Sequence, residues 1–348
     1  MDYKILSKPE KVFREMLKDI RNAKREVLLE TYIYGNDRVG REFLAELVRK
    51  AEEGVKVRVL VDAWGSGVNR KFFRKLIRVG GEVRMFRELR YTWRWFNANH
   101  ERNHRKLLII DKKVCYLGSV NITASCLAWR ELVLRIEGSL TLKFRRSFNG
   151  SWKRFNLFDS KRIRHLVHEG FEIIQDSPML KRGTTEKNYK KLIRKAEKEI
   201  FIETPYFVPS RGIRRAIRLA IKRGIKVKLL LPKKSSVGAV DILRNRYLGK
   251  LCRDGVKIYY YPKILHSKLL IVDEKFFLLG SSNLDYRSFW FQYEINLIGK
   301  DLDLILDLRK FFRLGLRDAS AFNYKVWQKR HFFSRVGEKM LGGIREYF

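Results

Sequence analysis

Two stretches of this chain follow one pattern of eighteen residues. "HRKLLIIDKKVCYLGSVN" runs from His104 to Asn121, and "HSKLLIVDEKFFLLGSSN" runs from His266 to Asn283. Both read H-x-K-x4-D-x6-G-S-x-N, although only 6 of the 348 residues are histidine. At roughly one chance in twenty per fixed residue, six fixed residues recur by chance at on the order of one in 10^7 positions. The repeat therefore indicates duplication.

The sequence around each motif repeats as well, in the same order. "EVLLETYIYGND" (Glu26–Asp37) corresponds to "EIFIETPYFVPS" (Glu199–Ser210), and "AEEGVKVRVLVD" (Ala51–Asp62) corresponds to "AIKRGIKVKLLLP" (Ala220–Pro232). Each half alternates amphipathic helices with short apolar strands, which is typical of an α/β sandwich with a mixed sheet. We predict two such halves, related by a pseudo-twofold axis, at 1–160 and 191–348. We expect a linker at 161–190 and a helical tail at the end of the second half.

The composition indicates a globular protein with a polyanionic partner. Hydrophobic residues make up 45% of the chain, and 76 Lys and Arg against 38 Asp and Glu give a formal charge of +38. Nucleic acid and an anionic membrane surface both fit this charge. No apolar stretch reaches eighteen residues, so we expect membrane contact to be peripheral. The three cysteines lack CxxC spacing, which favours a reducing compartment.

The motif spacing places an imidazole and an ammonium together in each half. His104 and Lys106 are two residues apart, as are His266 and Lys268, so on a strand each pair points to one face. The ammonium can neutralise the non-bridging oxygens of a phosphoryl group. If the two halves face each other, one imidazole can attack phosphorus while the other protonates the departing oxygen.

The rest of the motif predicts a hairpin that returns to the same spot. Asp111 and Asp273 stand at the turn, and the return strand brings Asn121 and Asn283 back beside the histidine of the same half. An amide there can also contact a phosphoryl oxygen. On the return strands, Ser119 and Ser281 can present a hydroxyl or a backbone N–H to the same spot.

These residues identify the chain as resembling the phospholipase D superfamily, whose HKD signature is present twice. The second half resembles bacterial cardiolipin synthases in "IETPYFVPS" from Ile202, "GSSNLDYRSF" from Gly280 and "YE" at Tyr293. The resemblance implies a duplicated phospholipase D-type fold with one shared active site. The long form of that family has two amino-terminal membrane helices, and this chain resembles the short form without them.

The resemblance also implies a reaction and a set of site residues. Two phosphatidylglycerols would give cardiolipin and glycerol through a phosphohistidine, with no metal or cofactor, at the cytoplasmic face of the cell membrane. It assigns attack to His104 and acid–base work to His266. Glu131 and Glu294 match an acidic position where a carboxylate can orient the histidine of its own half or of the opposite half. The implied catalytic residues are His104, Lys106, Asp111, His266, Lys268 and Asp273, and the supporting residues are Ser119, Asn121, Ser281, Asn283, Glu131 and Glu294.

Two further segments are candidates for membrane contact. "RELRYTWRWFNANHERN" places four aromatic side chains among arginines just before the first motif, which fits a rim loop in the lipid interface or a loop packed on its own domain. The final segment "YKVWQKRHFFSRVGEKMLGGIREYF" fits a helix packed on the second half or a helix on a membrane surface. The aromatic residues of the first segment are Tyr91, Trp93, Trp95 and Phe96.

Two other functions fit parts of this pattern. A phosphodiesterase or nuclease would use the same chemistry on another lipid or on DNA, and the charge suits DNA equally well. Nucleic acid is the less favoured partner, because the aromatic and basic segment shows no base-stacking arrangement. A non-catalytic lipid-binding module is disfavoured because both motifs are intact.

Overall fold

The computed structural model describes residues 2–87, 101–155, 165–178 and 183–343. The four aromatic residues of the predicted rim loop lie outside these ranges. Among the described helices, none combines the length and the apolar character that crossing a bilayer requires.

The first half is built on a mixed sheet of seven strands. The strands pair in the order β1-β8-β7-β6-β2-β3-β4, with β2, β3 and β4 parallel and the other pairs antiparallel. Their bounds are β1 Asp2–Leu6, β2 Glu26–Thr31, β3 Lys56–Asp62, β4 Glu82–Phe86, β6 Leu107–Ile110, β7 Val114–Gly118 and β8 Val133–Glu137.

The second half is built on a larger mixed sheet. Its strands pair in the order β17-β13-β12-β11-β14-β15-β16-β10-β9, and β5 of the first half joins it by pairing with β16. Their bounds are β5 Arg102–Asn103, β9 Leu166–His168, β10 Phe171–Asp176, β11 Glu199–Glu203, β12 Lys226–Pro232, β13 Lys257–Tyr261, β14 Leu269–Val272, β15 Phe276–Gly280, β16 Gln292–Gly299 and β17 Ser320–Ala321.

The two sheets share one strand order. Read from β10, the second sheet runs β10-β16-β15-β14-β11-β12-β13, which matches β1-β8-β7-β6-β2-β3-β4 strand for strand. The predicted fold class, a duplicated α/β sandwich with two mixed sheets, is therefore confirmed. The strand β10 takes the place of β1 and lies, with β9, inside the 161–190 segment.

Helices cover both sheets, and their ends follow from local sequence. Pro9 stands at the start of the first helix, where its missing N–H is not needed. Asp37 and Asp301 cap two other helices by accepting N–H groups of Gly40 and Leu304 at 3.0 and 2.9 Å. The helix bounds are α1 Pro9–Arg21, α2 Arg38–Glu52, α3 Arg74–Arg78, α4 Leu140–Arg154, α5 Thr184–Lys195, α6 Arg211–Lys222, α7 Gly238–Arg253, α8 Tyr286–Trp290, α9 Leu302–Arg317, α10 Tyr324–Gln328 and α11 Phe332–Gly343.

The halves share a central apolar core. One buried cluster joins residues of both sheets and of α4 and α9, while two further clusters lie within single halves. In the shared cluster the ring of Phe86, from the first half, meets that of Tyr293, from the second half, with centroids 5.2 Å apart. Because each side chain of this kind contributes about 2 kcal/mol when buried, the shared core holds the halves in a fixed relation.

Candidate active site

Each motif histidine stands just before a central strand and is held by the opposite half. The N–H of His104, three residues before β6, donates to the carbonyl of Tyr293 at 3.0 Å. The N–H of His266, three residues before β14, donates to the carbonyl of Arg130 at 2.8 Å. These matched backbone bonds place both motifs at the junction of the two halves.

The side chains of the two histidines are also paired across the halves. Nδ1 of His104 lies 2.9 and 3.1 Å from the two carboxylate oxygens of Glu294. Nδ1 of His266 lies 3.1 and 3.2 Å from those of Glu131. The sequence left open whether each carboxylate orients its own histidine or the opposite one. The structure shows the opposite one in both cases.

This pairing fixes the chemistry of the free ring nitrogen. A carboxylate accepts hydrogen bonds, so each Nδ1 carries the proton and Nε2 of the neutral ring keeps its lone pair. Ser119 donates to Glu131 and Ser281 donates to Glu294, which holds each carboxylate in place. The two serines therefore orient the glutamates, and among the described residues the cavity lining includes neither serine.

The imidazoles meet in one cavity of about 510 Å³. His104 and His266 both line it, together with Asn121 and Asn283, as the hairpin geometry predicts. Oδ1 of Asn121 accepts the N–H of Ile33 at 3.3 Å, which leaves its NH2 group as a donor. The two motifs thus present paired imidazoles and amides to a single volume.

Burial sets the charge of these groups at neutral pH. It lowers the pKa of His104 well below the ordinary value, with Lys106 and Lys268 adding to the effect, and lowers that of His266 to about 4. Burial likewise lowers the pKa of Lys106 to about 8 and that of Lys268 to about 7. Both histidines are therefore neutral at pH 7.

The two lysines are fixed by the backbone of their own motif. Nζ of Lys106 donates to the carbonyl of His104 at 2.6 Å, and Nζ of Lys268 donates to that of His266 at 2.5 Å. Both side chains are buried. An ammonium has three N–H groups, so each lysine keeps further donors, but neither lysine is among the described residues that line the cavity.

The structure does not bring Asp111 and Asp273 to the cavity. Each stands at the far end of its strand, roughly 16 Å along the chain from the motif lysine. Asp111 accepts the backbone N–H groups of residues 24–26 at 2.7 to 2.9 Å, and Asp273 accepts those of residues 197–199 at 2.8 to 2.9 Å. The prediction that Asp111 and Asp273 are catalytic is therefore corrected, because these two residues anchor the starts of β2 and β11.

Several cavity residues were not singled out from the sequence. The ring of Tyr32 meets that of His104 edge-on at 4.9 Å, and the ring of Trp129 meets that of His266 at 5.2 Å. Trp129 stands two residues before Glu131, a predicted site residue. This spacing is a signal by which the sequence could have identified Trp129 as a cavity residue. Other lining residues are Trp64, Tyr206, Asp285, Arg287 and Gln292.

Comparison with known proteins places these features in a family. The family model described as "Cardiolipin synthase, PLD-like domain" matches residues 16–152 and 189–314. A protein named cardiolipin synthase from Clostridium perfringens is 31% identical over 95% of this chain and 73% of its own length. The protein named major cardiolipin synthase ClsA from Bacillus subtilis is 30% identical over 94% of this chain and 71% of its own length.

A solved structure shares the architecture at low identity. The crystal structure of a phosphatidylserine synthase from Haemophilus influenzae superposes with a TM-score of 0.80 at 14% identity, covering 99% of this chain and 95% of the other. At that identity the likeness concerns the fold alone.

Proposed function

The chain belongs to the family of PLD-like cardiolipin synthases, and from this premise we propose that it joins two phosphatidylglycerols into cardiolipin and releases glycerol. The observation that carries the proposal is the crossed pairing of His104 with Glu294 and His266 with Glu131 around one cavity. A phosphatidyl transfer needs a nucleophile on one side of phosphorus and a proton donor on the other, and this arrangement supplies both.

In the first step, Nε2 of His104 attacks the phosphorus of a bound phosphatidylglycerol. An N–P bond forms while the bond between phosphorus and the oxygen of the glycerol headgroup breaks. His266 gives a proton from Nε2 to that leaving oxygen. His266 by itself is neutral at pH 7, but an anionic phosphodiester beside it raises its pKa and favours the charged ring. The products are glycerol, a phosphatidyl-histidine and a neutral His266.

In the second step, the hydroxyl of another phosphatidylglycerol enters the place that glycerol left. Neutral His266 takes the proton of this hydroxyl. The hydroxyl oxygen attacks phosphorus, and the P–N bond to His104 breaks. Cardiolipin leaves, and His104 is neutral again. One residue thus acts first as acid and then as base.

Charge that develops on phosphorus needs stabilisation in both steps. The amides of Asn121 and Asn283 supply N–H donors at the cavity. The ammonium groups of Lys106 and Lys268 act on both histidines from outside the described lining and supply positive charge there. Because these groups are buried, their electrostatic effect is larger than it would be in water. The carboxylates of the crossed pairs stabilise each imidazolium as it forms.

We also place a membrane contact on α11. Three exposed apolar side chains follow one stripe of that helix at spacings of four residues, and Arg335 and Lys339 flank it. Apolar side chains among cations are the pattern of a helix that lies in an anionic lipid interface. The residues of this stripe are Phe332, Val336 and Met340.

The stripe begins at the end of the molecule that carries the cavity. Gly337 lies beside Ile242 and Gly342 beside Arg246, so α11 runs parallel to α7. The start of α7 lies at the cavity, where Val237 and Val240 line it. A bilayer against the stripe would therefore lie close to the cavity mouth.

Incubation with vesicles tests the proposed function. Purified protein with phosphatidylglycerol vesicles should release one glycerol for each cardiolipin formed, measured by mass spectrometry of lipids and water-soluble products. A separate incubation with plasmid DNA should leave the DNA intact. Nicked DNA, or phosphatidate as the sole lipid product, would support the phosphodiesterase alternative instead.

A further inference from the structure

The cavity is asymmetric although the motifs around it are repeated. Aligning the halves places "GSVNITAS" (Gly118–Ser125) against "GSSNLDYR" (Gly280–Arg287). In the second half Asp285 and Arg287 line the cavity, while Ser125 of the first half is exposed and lies outside the described lining. Duplication alone would place the same type of side chain at both aligned positions. The guanidinium of Arg287 is therefore a feature of the second half that the first half lacks.

Arg287 is the one lysine or arginine among the described residues that line the cavity. Its guanidinium lies over the ring of Trp64 at 5.4 Å, and Trp64 stands 47% exposed at the same cavity. Within the described parts of the chain, Arg287 makes no hydrogen bond or ion pair through its guanidinium. The aromatic contact holds the group in position and leaves its N–H donors for a ligand.

Resting on the proposed function, we propose that Arg287 binds the phosphodiester of the acceptor lipid. Phosphatidylglycerol as acceptor brings a second phosphate, three carbons away from the hydroxyl that attacks. While the donor phosphate lies between His104 and His266, this second anion needs its own cation. A guanidinium matches the two non-bridging oxygens of such a group in a bidentate contact.

This assignment gives Arg287 a role in choosing the acceptor. Water and glycerol compete for the same phosphatidyl-histidine but carry no charge, so neither gains from the guanidinium. The anionic acceptor alone gains affinity from it. Arg287 is thus a specificity-determining residue that favours transfer to a lipid over hydrolysis.

A competition between acceptors tests the assignment. Wild-type protein, Arg287→Met and Arg287→Lys receive phosphatidylglycerol vesicles with isotope-labelled glycerol present. The ratios of cardiolipin to phosphatidate and of cardiolipin to labelled phosphatidylglycerol are measured. Arg215→Met, an equal loss of charge at an exposed position of α6, is the matched control.

We expect Arg287→Met to lower both ratios by about tenfold to a hundredfold, the range for a lost hydrogen bond to a charged group. Arg287→Lys should restore part of the loss, and Arg215→Met should keep the wild-type ratios. Unchanged ratios in Arg287→Met, or equal loss of all products, would overturn the assignment while the proposed function stands. A wild-type protein that makes no cardiolipin would overturn the proposed function itself.

Discussion

Nδ1 of His104 lies 2.9 Å from Oε1 of Glu294, a residue 190 positions away in the other half of the chain. The pair His266 and Glu131 repeats this contact in the opposite direction. Neither half therefore contains a complete imidazole–carboxylate pair. The active arrangement therefore exists only when the two halves are docked through their shared core.

The first prediction concerns these crossed carboxylates. Glu294→Gln and Glu131→Gln should each lower kcat by about 10^2-fold to 10^4-fold, because an amide does not hold Nδ1–H as a carboxylate does and does not stabilise the imidazolium. Steady-state assays with phosphatidylglycerol vesicles measure this. Glu52→Gln, at an exposed position of α2, serves as the control and should keep full activity. Near-normal kcat in either site variant would argue against the crossed pairs.

The second prediction concerns the binding of an anion as pH changes. Sulfate keeps its charge between pH 5 and 9, so changes in its affinity report the protein. Because the pKa of Lys268 is lowered to about 7, its ammonium is present below pH 7 and is lost above it. The Kd for sulfate, measured by calorimetry, should rise between pH 5 and pH 9, because sulfate favours protonation of His266, which becomes harder as pH rises, and because the ammonium of Lys268 is lost above pH 7. A Kd that stays level to pH 9 would contradict this.

The third prediction is that the site lowers the stability of the fold. An unfolded lysine has a pKa of about 10.4, so between pH 7 and 10.4 the unfolded chain binds more protons at Lys268 than the folded chain does. The contribution of Lys268 to the free energy of unfolding therefore falls as pH drops from about 10.4 to about 7. Lys268→Met removes the free-energy cost of holding this lysine at a lowered pKa, but it also leaves the carbonyl of His266 without its donor. The free energy of unfolding at pH 6 should therefore rise by about 2 kcal/mol.

Unfolding in guanidinium measures this gain. The gain should be largest below pH 7 and should become a loss by pH 10, where only the missing donor to the carbonyl of His266 still counts, and the variant should be inactive. Lys11→Met, at an exposed position of α1, should leave the stability unchanged at both pH values. A destabilised Lys268→Met protein at pH 6 would contradict the prediction.

The fourth prediction concerns the stripe on α11. Met340 is 72% exposed, and Met340→Asp should weaken binding to phosphatidylglycerol vesicles about tenfold, because it removes an apolar side chain and adds repulsion from anionic lipid. Vesicle flotation measures the binding. Leu142→Asp places the same charge at a 50% exposed position of α4 and is the control. Equal binding by both variants would remove the stripe from the membrane contact.

Much of this arrangement could be predicted from the sequence because duplication exposes it. The repeated strands, the histidines, the lysines and the asparagines all stand in equivalent places of two segments, so one half checks the other. The rim loop residues Tyr91, Trp93, Trp95 and Phe96 stay a prediction.

Other features depend on contacts that no single segment encodes. The crossing of Glu131 and Glu294 follows from how the halves dock, and the local pattern fits either partner equally well. Asp111 and Asp273 belong to the motif in sequence, yet their strands carry them away from the imidazoles to hold backbone N–H groups. Arg287 has no counterpart in the first half, so the repeat could not reveal it.

Detection of the covalent intermediate is the most direct test of the two facing imidazoles. Wild-type protein is mixed with phosphatidylglycerol vesicles, quenched within one turnover in neutral detergent, digested and examined by mass spectrometry. We expect the mass of one phosphatidyl group on the peptide that contains His104. We expect no adduct in His104→Ala, with the fold intact by circular dichroism. Cardiolipin formation with no adduct on His104, or sustained turnover by His104→Ala, would contradict the mechanism.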